Sequence, residues 1–207
     1  MARNKHKTGQ PMDSNSHSSD EIAKSLRKWG FPTRHIQNLD KMTGEGLSCA
    51  RDKSGKILAG DAIIVLCGAR GPGKTQIATF WAAELLKLEK KARGSRYYKA
   101  HDLLCLIRQQ FDDDKNLKGS AREVLTRSKK ISLLVIDEWS ELSGTEWEMR
   151  TMTNIIDHRY DNLLPTVIIT NHAPREAIEA IGKSIWSRAE ETGGIVVCDW
   201  ASYRTTH

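Results

Sequence analysis

Residues 62–75 read AIIVLCGARGPGKT and join a short apolar run to a glycine-rich turn. The run at 62–67 is rich in β-branched residues, which is typical of a buried parallel strand. The turn at 68–75 matches GxxxxGK[ST], in which small residues let consecutive backbone N–H groups converge on phosphate oxygens. A helical periodicity follows, so the positive end of a helix dipole faces the same anion. This order predicts a phosphate-binding loop between a strand and a helix.

The turn and the residue after it form the candidate binding set for the phosphates of a nucleotide. Lys74 can reach the β- and γ-phosphates, and the Thr75 hydroxyl can bind Mg²⁺. The whole set is Gly68, Ala69, Arg70, Gly71, Pro72, Gly73, Lys74, Thr75 and Gln76. The alternative is an ordinary glycine-rich turn, but the strand before it and the helix after it favour phosphate binding.

A second apolar run, LLVIDE at 133–138, ends in two carboxylates. Ligands of open parallel sheets bind at the carboxyl ends of the strands, so Asp137 is expected beside the loop, where it would hold Mg²⁺ through water. Glu138 would then polarise the attacking water as a general base. The alternative is a strand that simply ends in solvated acids.

A third apolar run, at 166–170, is followed by Asn171. An amide at a strand end could orient the attacking water or contact the γ-phosphate, and we count Asn171 among the catalytic candidates. The alternative is a turn-forming asparagine, since this residue type favours turns.

Strands and helices alternate beyond residue 60, which predicts an α/β domain whose parallel sheet is covered on both faces. The predicted strands lie at 62–67, 95–100, 131–136, 166–170 and 195–198. Residues 1–17 are expected to be a disordered polar tail. Residues 18–60 form an N-terminal helix and extension, in which Ser18 and Glu21 make a capping box and 33–60 show no clear periodicity. Residues 61–207 form the core.

The formal net charge of +6 is concentrated in residues 1–60, which hold eleven basic and six acidic side chains. A basic arm indicates nucleic acid or an acidic partner, and a solvated tail is the alternative. No apolar run is long enough to span a membrane, and the N-terminus does not resemble a secretory signal. The four cysteines form no CxxC pair, so free thiols in a reducing cytoplasm are expected.

The order of GARGPGKT, LLVIDE, VIITN, SIWSRAEE and WASYR resembles the DnaC/IstB-like family of AAA+ ATPases over roughly residues 61–204. That family contains replicative helicase loaders of bacteria and phages and the ATPase helpers of some transposases. The resemblance implies a P-loop NTPase of the AAA+ type at 61–207, with a five-stranded parallel sheet flanked by helices. Because the sequence ends at His207, we expect no full helical lid domain.

The resemblance also implies roles for two arginines. Arg188 aligns with the arginine finger, which enters the ATP site of a neighbouring subunit. Arg204 aligns with the arginine of the SYR ending, where it acts either as a second phosphate sensor or as a structural ion-pair partner. Both interpretations of Arg204 stay open.

The resemblance implies ATP and Mg²⁺ as cofactors, self-association into a helical or ring oligomer, and a replicative helicase or transposase as partner. Single-stranded or double-stranded DNA is a further expected partner. We favour a helicase loader that hydrolyses ATP. The alternatives are a transposition helper and an adaptor that uses nucleotide only as a switch.

Four further side chains are candidates for contact with DNA or a neighbouring subunit. Trp139 and Trp147 could stack on unpaired bases, with packing against the sheet as the alternative. Arg150 and Arg159 could meet phosphate or a neighbouring subunit, with surface solvation as the alternative.

Overall fold

The computed structural model describes residues 18–88, 94–108 and 121–203, so the tail at 1–17 and Arg204 lie outside the described residues. The strands are β1 Ile63–Cys67, β2 Ser95–Lys99, β3 Leu133–Asp137, β4 Thr166–Ile169 and β5 Gly194–Val197. The helices are α1 Ser19–Lys28, α2 Thr33–Gln37, α3 Gly44–Ala59, α4 Lys74–Lys87, α5 Ala100–Arg108, α6 Ala121–Lys130, α7 Glu146–Asp161, α8 Pro174–Ile181 and α9 Lys183–Thr192. Short 3₁₀ turns lie at Leu39–Lys41 and Trp139–Glu141.

The five strands form one parallel sheet in the order β2-β3-β4-β1-β5. The predicted α/β fold with a five-stranded parallel sheet is confirmed. In the register of the sheet, Val65 of β1 pairs with Ile168 of β4, and Ile136 of β3 pairs with the other side of Ile168. Strand β4 therefore lies between the strand that precedes the phosphate-binding turn and the strand that ends in the two carboxylates.

Helices cover both faces of the sheet. The inner strands are buried along their whole length, because alternate side chains enter two separate apolar clusters. In β1, Ile64 and Leu66 face α1, α3 and α4, whereas Ile63 and Val65 face α5, α7, α8 and α9. The N-terminal helices thus share one apolar cluster with the sheet and with α4.

Helix α1 begins with the predicted capping box. The Ser18 hydroxyl accepts a hydrogen bond from the Glu21 backbone N–H, and the Glu21 carboxylate accepts one from the Ser18 backbone N–H. The two side chains together satisfy two N–H groups that have no partner within the helix. Ile22 and Leu26 are buried on the face that the periodicity predicted.

Helix α3 is a correction to the sequence analysis, which found no clear periodicity at 33–60. Residues 44–59 form 16 residues of continuous helix that bury Ala50 and Ile57. The local signals are weak because the helix contains three glycines, which are poor helix formers. The Thr43 side chain also makes no capping hydrogen bond. The helix is stabilised by tertiary contacts instead, among them the hydrogen bond from the Trp81 indole N–H to the Ala50 carbonyl, at 2.7 Å.

Arg159 was expected at a phosphate or a neighbouring subunit, or in solvent, and it is buried instead. Its guanidinium donates to the Thr166 hydroxyl and to three backbone carbonyls, those of Ser128, Ile131 and Pro165. Burial lowers the pKa of Arg159 to about 9, so the side chain stays charged at neutral pH. The hydrogen bonds join α6, α7 and the start of β4, which makes Arg159 a structural residue.

Trp139 is likewise buried and donates its indole N–H to the Ala180 carbonyl at 2.9 Å, so it cannot stack on a base. Trp147 is partly buried, and the Arg108 guanidinium lies 5.5 Å from the centre of its ring. Arg150 is exposed on α7 and pairs with Glu146 one turn earlier. Packing and surface solvation therefore account for these three side chains.

Candidate nucleotide-binding site

The turn between β1 and α4 adopts a backbone that needs its glycines. We call residues 68–75 the phosphate loop. Gly68 and Gly71 both have φ near 114°, and Gly73 has φ 89°, a left-handed conformation that favours glycine. A Cβ on Gly68 would lie 2.6 Å from the Cys198 carbonyl oxygen. The glycine spacing of the motif is thus required by the backbone.

Neighbouring segments hold the phosphate loop in place. The Gly68 N–H donates to the His172 carbonyl at 2.9 Å, which ties the start of the loop to the end of β4. The Tyr203 N–H donates to the Gly71 carbonyl at 3.2 Å. The Trp200 indole N–H donates to the Pro72 carbonyl at 2.8 Å. The phosphate loop is therefore held by the end of β4 on one side and by residues 200–203 on the other, without a ligand.

Lys74 provides the positive charge of the loop. Its side chain is almost completely buried, and its ammonium donates to the Gly68 carbonyl at 2.7 Å and the Ala69 carbonyl at 2.6 Å. It is also the first residue of α4, so it lies at the positive end of the helix dipole. A charge at this position suits an anion at the helix N-terminus.

Thr75 and Asp137 meet at the carboxyl edge of the sheet. The Thr75 hydroxyl donates to Asp137 Oδ2 at 2.6 Å, and the Tyr97 hydroxyl donates to the same oxygen at 2.8 Å. Burial, reinforced by the charge of Asp137, raises the pKa of Tyr97, so Tyr97 stays a donor at neutral pH. A hydroxyl and a carboxylate are the hard oxygen ligands that Mg²⁺ prefers, and the pair fits that ion.

Glu138 follows in a left-handed conformation, with φ 56° and ψ 39°, which is strained for a residue with a side chain. Its backbone N–H donates to Asp137 Oδ1 at 2.6 Å, which orients the Asp137 carboxylate. Its own carboxylate pairs with the Lys99 ammonium at 3.0 Å, and this hydrogen bond raises the pKa of Lys99. The pair lines a cleft together with His101, Asp102 and Glu141.

Asn171 lies two residues beyond the end of β4, and its side chain is half-buried. The preceding Thr170 is still attached to the sheet by a hydrogen bond from its N–H to the Leu66 carbonyl at 3.0 Å. Because β4 runs between β1 and β3, Asn171 falls between the phosphate loop and the two carboxylates along the sheet edge.

Two predicted binding residues direct their side chains elsewhere. Arg70 points outward and pairs with Glu141 at 2.8 Å. The Gln76 amide makes two hydrogen bonds with His35 of α2, to the ring Nδ1 at 2.9 Å and to the carbonyl at 2.8 Å. In this structure the side chains of Arg70 and Gln76 are thus engaged by Glu141 and His35.

The sequence analysis did not find Tyr97 and Lys99. Tyr97 is the middle residue of β2 and Lys99 is the last, next to β3, and they contact the two carboxylates directly. A signal was present, since a tyrosine and a lysine two residues apart at a strand end share one side of the strand. This pattern did not indicate a contact with the carboxylates, because the sequence does not show that β2 lies beside β3.

Arg188 lies on the other side of the sheet from α4. Its guanidinium is 3.1 Å from Asp157 Oδ1 of α7, lies 5.3 Å from the ring centre of Tyr160, and donates to Ser184 one turn earlier. These contacts hold the side chain on the α7–α9 surface, about a quarter exposed. Arg188 therefore contacts α7 and its own helix rather than the phosphate loop.

Among the residues that the structure describes, no helix is long and apolar enough to cross a membrane.

The fold is similar to that of a solved DnaC helicase loader, with a TM-score of 0.66 and 20% identity over 80% of this chain and 99% of that one. AMPPCP-bound DnaA from Aquifex aeolicus superposes with a TM-score of 0.61 and 22% identity over 75% of this chain and 47% of that one. At these identities the likeness shows the fold alone.

Sequence comparison gives two further matches. The replicative helicase loader DnaC of Escherichia coli K12 is 25% identical over 145 residues, which are 70% of this chain and 57% of that protein. This chain therefore matches little more than half the length of its curated relative. The model of the IstB-like ATP-binding protein family matches residues 53–183, which is well over half of the chain. On this match, and with an AAA+ fold, the chain belongs to the IstB-like family of ATP-binding proteins.

Proposed function

We propose that the protein binds MgATP in the phosphate loop, hydrolyses it, and uses the nucleotide cycle to assemble on DNA or on a protein partner. The observation that carries this proposal is the 2.6 Å contact between the Thr75 hydroxyl and Asp137, with Glu138 next along the chain. The contact joins the two separate sequence motifs into one site.

Each side chain has a role in this proposal. Lys74 and the N–H groups of the loop bind the phosphates, and Thr75 and Asp137 hold Mg²⁺, which when bound neutralises charge on the phosphates. Glu138 accepts the proton of the attacking water, after its carboxylate leaves Lys99. Asn171 orients the water. Tyr97 keeps Asp137 turned toward Thr75 through its hydrogen bond.

The position of Arg188 supports a role in another subunit. Its contacts lie on the α7–α9 surface, whereas α4 and the phosphate loop lead to the opposite face of the sheet. An arginine held there is available to the phosphate site of a neighbouring copy, as in a helical or ring oligomer. Its guanidinium would neutralise the charge that develops on the transferred phosphoryl group.

The Lys74→Ala variant tests nucleotide binding. Removal of the ammonium takes away a charge-assisted contact worth about 1.5–3 kcal/mol, so we expect the affinity for MgATP to fall roughly 10- to 150-fold. Isothermal titration calorimetry measures the change, with Lys87→Ala at the far end of α4 as control. Unchanged affinity in Lys74→Ala would contradict the assignment of the phosphate loop.

We further propose that the partner is a replicative helicase and that the protein acts in the cytoplasm as a helicase loader. The likeness to DnaC supports the first part, and the four free cysteines support the second. The IstB-like family match supports a transposition helper as the second candidate. Single-stranded or double-stranded DNA is a further proposed partner in either case.

A pull-down from the native host separates the two candidates. The bait is the tagged Glu138→Gln variant, because a complex that depends on bound ATP should persist when hydrolysis is slow. Recovery of a hexameric helicase with ATP, and its loss with Lys74→Ala as bait, would support helicase loading. Recovery of a transposase instead would contradict it.

A further inference from the structure

Residues 200–203, which we call the C-terminal segment, contact the phosphate loop and the start of α3 at once. On the loop side, the Trp200 indole and the Tyr203 N–H bind the carbonyls of Pro72 and Gly71. On the helix side, the Tyr203 hydroxyl donates to the Thr43 carbonyl at 2.7 Å and accepts from the Gly46 N–H at 3.3 Å. Tyr203 therefore connects the phosphate loop to the start of α3, two segments that are distant in sequence.

The Tyr203 hydroxyl replaces the missing cap of α3. The first N–H groups of a helix have no partner within it, and the N-terminal flanking residue normally supplies one. Here that residue is Thr43, whose side chain makes no capping hydrogen bond. The Gly46 N–H, in the first turn, is satisfied by Tyr203 from 157 residues away. The order at the start of α3 thus depends on where Tyr203 sits.

Hydrogen bonds from the same segment set the orientation of a peptide in the phosphate loop. In a trans peptide the C=O and the next N–H point in opposite directions, and no peptide bond in the described part of the chain is cis. Because the Pro72 carbonyl is bound by Trp200, the Gly73 N–H points away from the C-terminal segment. The proposed function assigns the N–H groups of the loop to the phosphates, so the Trp200 contact fixes the orientation of one of these groups.

Glycines make room for these contacts in both partners. A Cβ on Gly46 would lie 2.9 Å from the Tyr203 hydroxyl, and a Cβ on Gly73 would lie 3.3 Å from the Tyr203 ring. A Cβ on Gly71 would overlap the Ser202 hydroxyl. The close fit leaves little freedom for the loop, the segment and the start of α3 to move independently.

We propose that Tyr203 is a positioning residue that couples nucleotide binding in the phosphate loop to the order of the α3 N-terminus. The proposal rests on the proposed function, because it takes MgATP as the ligand of the loop. Coupling is reciprocal: if an ordered α3 favours binding, bound nucleotide must stabilise the start of α3 by the same factor. The order of the α3 N-terminus, which lies outside the site, would then differ between the nucleotide-bound and nucleotide-free protein.

The first test is Tyr203→Phe, which keeps the ring against Gly73 and removes only the hydroxyl. Loss of its two hydrogen bonds should weaken MgATP binding roughly threefold to tenfold, with kcat at saturating ATP within about twofold of the unaltered protein. Hydrogen exchange in a peptide covering residues 43–50 should become faster. In the unaltered protein, MgATP should slow the same exchange. Tyr98→Phe, on β2, is the matched control.

The second test uses two glycines of the same helix. Alanine is the better helix former, so both Gly46→Ala and Gly55→Ala favour α3 locally. The new methyl group of Gly46→Ala would press on the Tyr203 hydroxyl, whereas that of Gly55→Ala would meet no atom within 4 Å. We therefore expect Gly46→Ala to weaken MgATP binding and Gly55→Ala to leave it unchanged or improve it. A purely local effect on α3 would give both variants the same sign.

The outcomes separate this inference from the proposed function. If the unaltered protein binds MgATP, Lys74→Ala binds it much more weakly, and Tyr203→Phe and Gly46→Ala both keep full affinity, the coupling is overturned and the nucleotide site stands. The coupling is also overturned if MgATP does not change the rate of hydrogen exchange at residues 43–50. If the unaltered protein binds no MgATP, the proposed function fails and the coupling fails with it.

Discussion

The Glu138→Gln variant is expected to bind MgATP as tightly as the unaltered protein and to hydrolyse it about 10²- to 10⁴-fold more slowly. Glutamine keeps the size of the side chain and can still accept a hydrogen bond from Lys99, which lies 3.0 Å from the Glu138 carboxylate. It cannot take a proton from water. The loss should therefore fall on the chemical step and leave the phosphate contacts of Lys74 and Thr75 intact.

Single-turnover hydrolysis and calorimetric affinity, measured on the same preparations, separate the two effects. Glu179→Gln, an exposed residue of α8, is the matched control and should behave as the unaltered protein. Near-normal turnover by Glu138→Gln would contradict its role as general base. If the unaltered protein, with DNA and its partner present, binds ATP but does not hydrolyse it, the nucleotide-switched adaptor replaces the ATPase.

The Arg188→Ala variant is expected to lose about 10³- to 10⁵-fold in hydrolysis while its affinity for MgATP stays nearly intact. The reason is that Lys74, Thr75 and Asp137 remain in place, and only the charge supplied to a neighbouring site is removed. Specific activity of the unaltered protein should rise with protein concentration, because the complete site forms only between subunits. Arg175→Ala, exposed on α8, is the control.

Mixing the two inactive variants gives the sharper test. Arg188→Ala retains its phosphate loop and Glu138, whereas Glu138→Gln retains its finger, so each mixed interface of the right polarity holds one complete site. A mixture should regain part of the activity. If mixed oligomers form and no activity returns, Arg188 acts within its own chain, as the residue that ties α9 to α7 through Asp157.

The local parts of the site were predictable because their signals are contiguous in sequence. The phosphate loop is one unbroken segment whose glycines are required by its own backbone, with positive φ at Gly68, Gly71 and Gly73. The apolar strands were recognisable because a strand buried on both faces is apolar throughout. The α/β fold follows from their alternation with helices, and the structure confirms it.

The assembly of the site required the order of the strands. Asp137 and Glu138 could be placed at a sheet edge, but β2 had to lie beside β3 before Tyr97 and Lys99 became their partners. Likewise, Asn171 acquires its position between loop and carboxylates because β4 separates β1 from β3. The local pattern of a strand identifies its residues and its end, but carries no information on which strand lies next to it.

Side-chain type was a poor guide wherever a long-range partner outweighed the usual preference of the residue. Arginine is ordinarily exposed, yet Arg159 is buried because three carbonyls, two at the end of α6 and one before β4, accept its hydrogen bonds. Trp139, a candidate for base stacking, is buried by the same principle, with the Ala180 carbonyl as its partner. Neither partner is a sequence neighbour of the residue it holds.

Helix α3 shows most clearly the difference between what the sequence predicts and what the tertiary structure determines. From the sequence alone, residues 44–59 have three glycines, which is the property of a weak helix. The structure adds that the flanking Thr43 makes no side-chain cap. In the folded chain the cap comes from Tyr203, and the packing comes from α4. Residues adjacent in sequence define the phosphate loop, the strands and the acidic pair, so the sequence alone predicts them. Three other features depend on residues that meet only when the chain folds: the cap of α3, the burial of Arg159 and the partners of Glu138. Hydrogen bonds and apolar contacts act over distances of ångströms in space, whatever the separation of the residues in sequence.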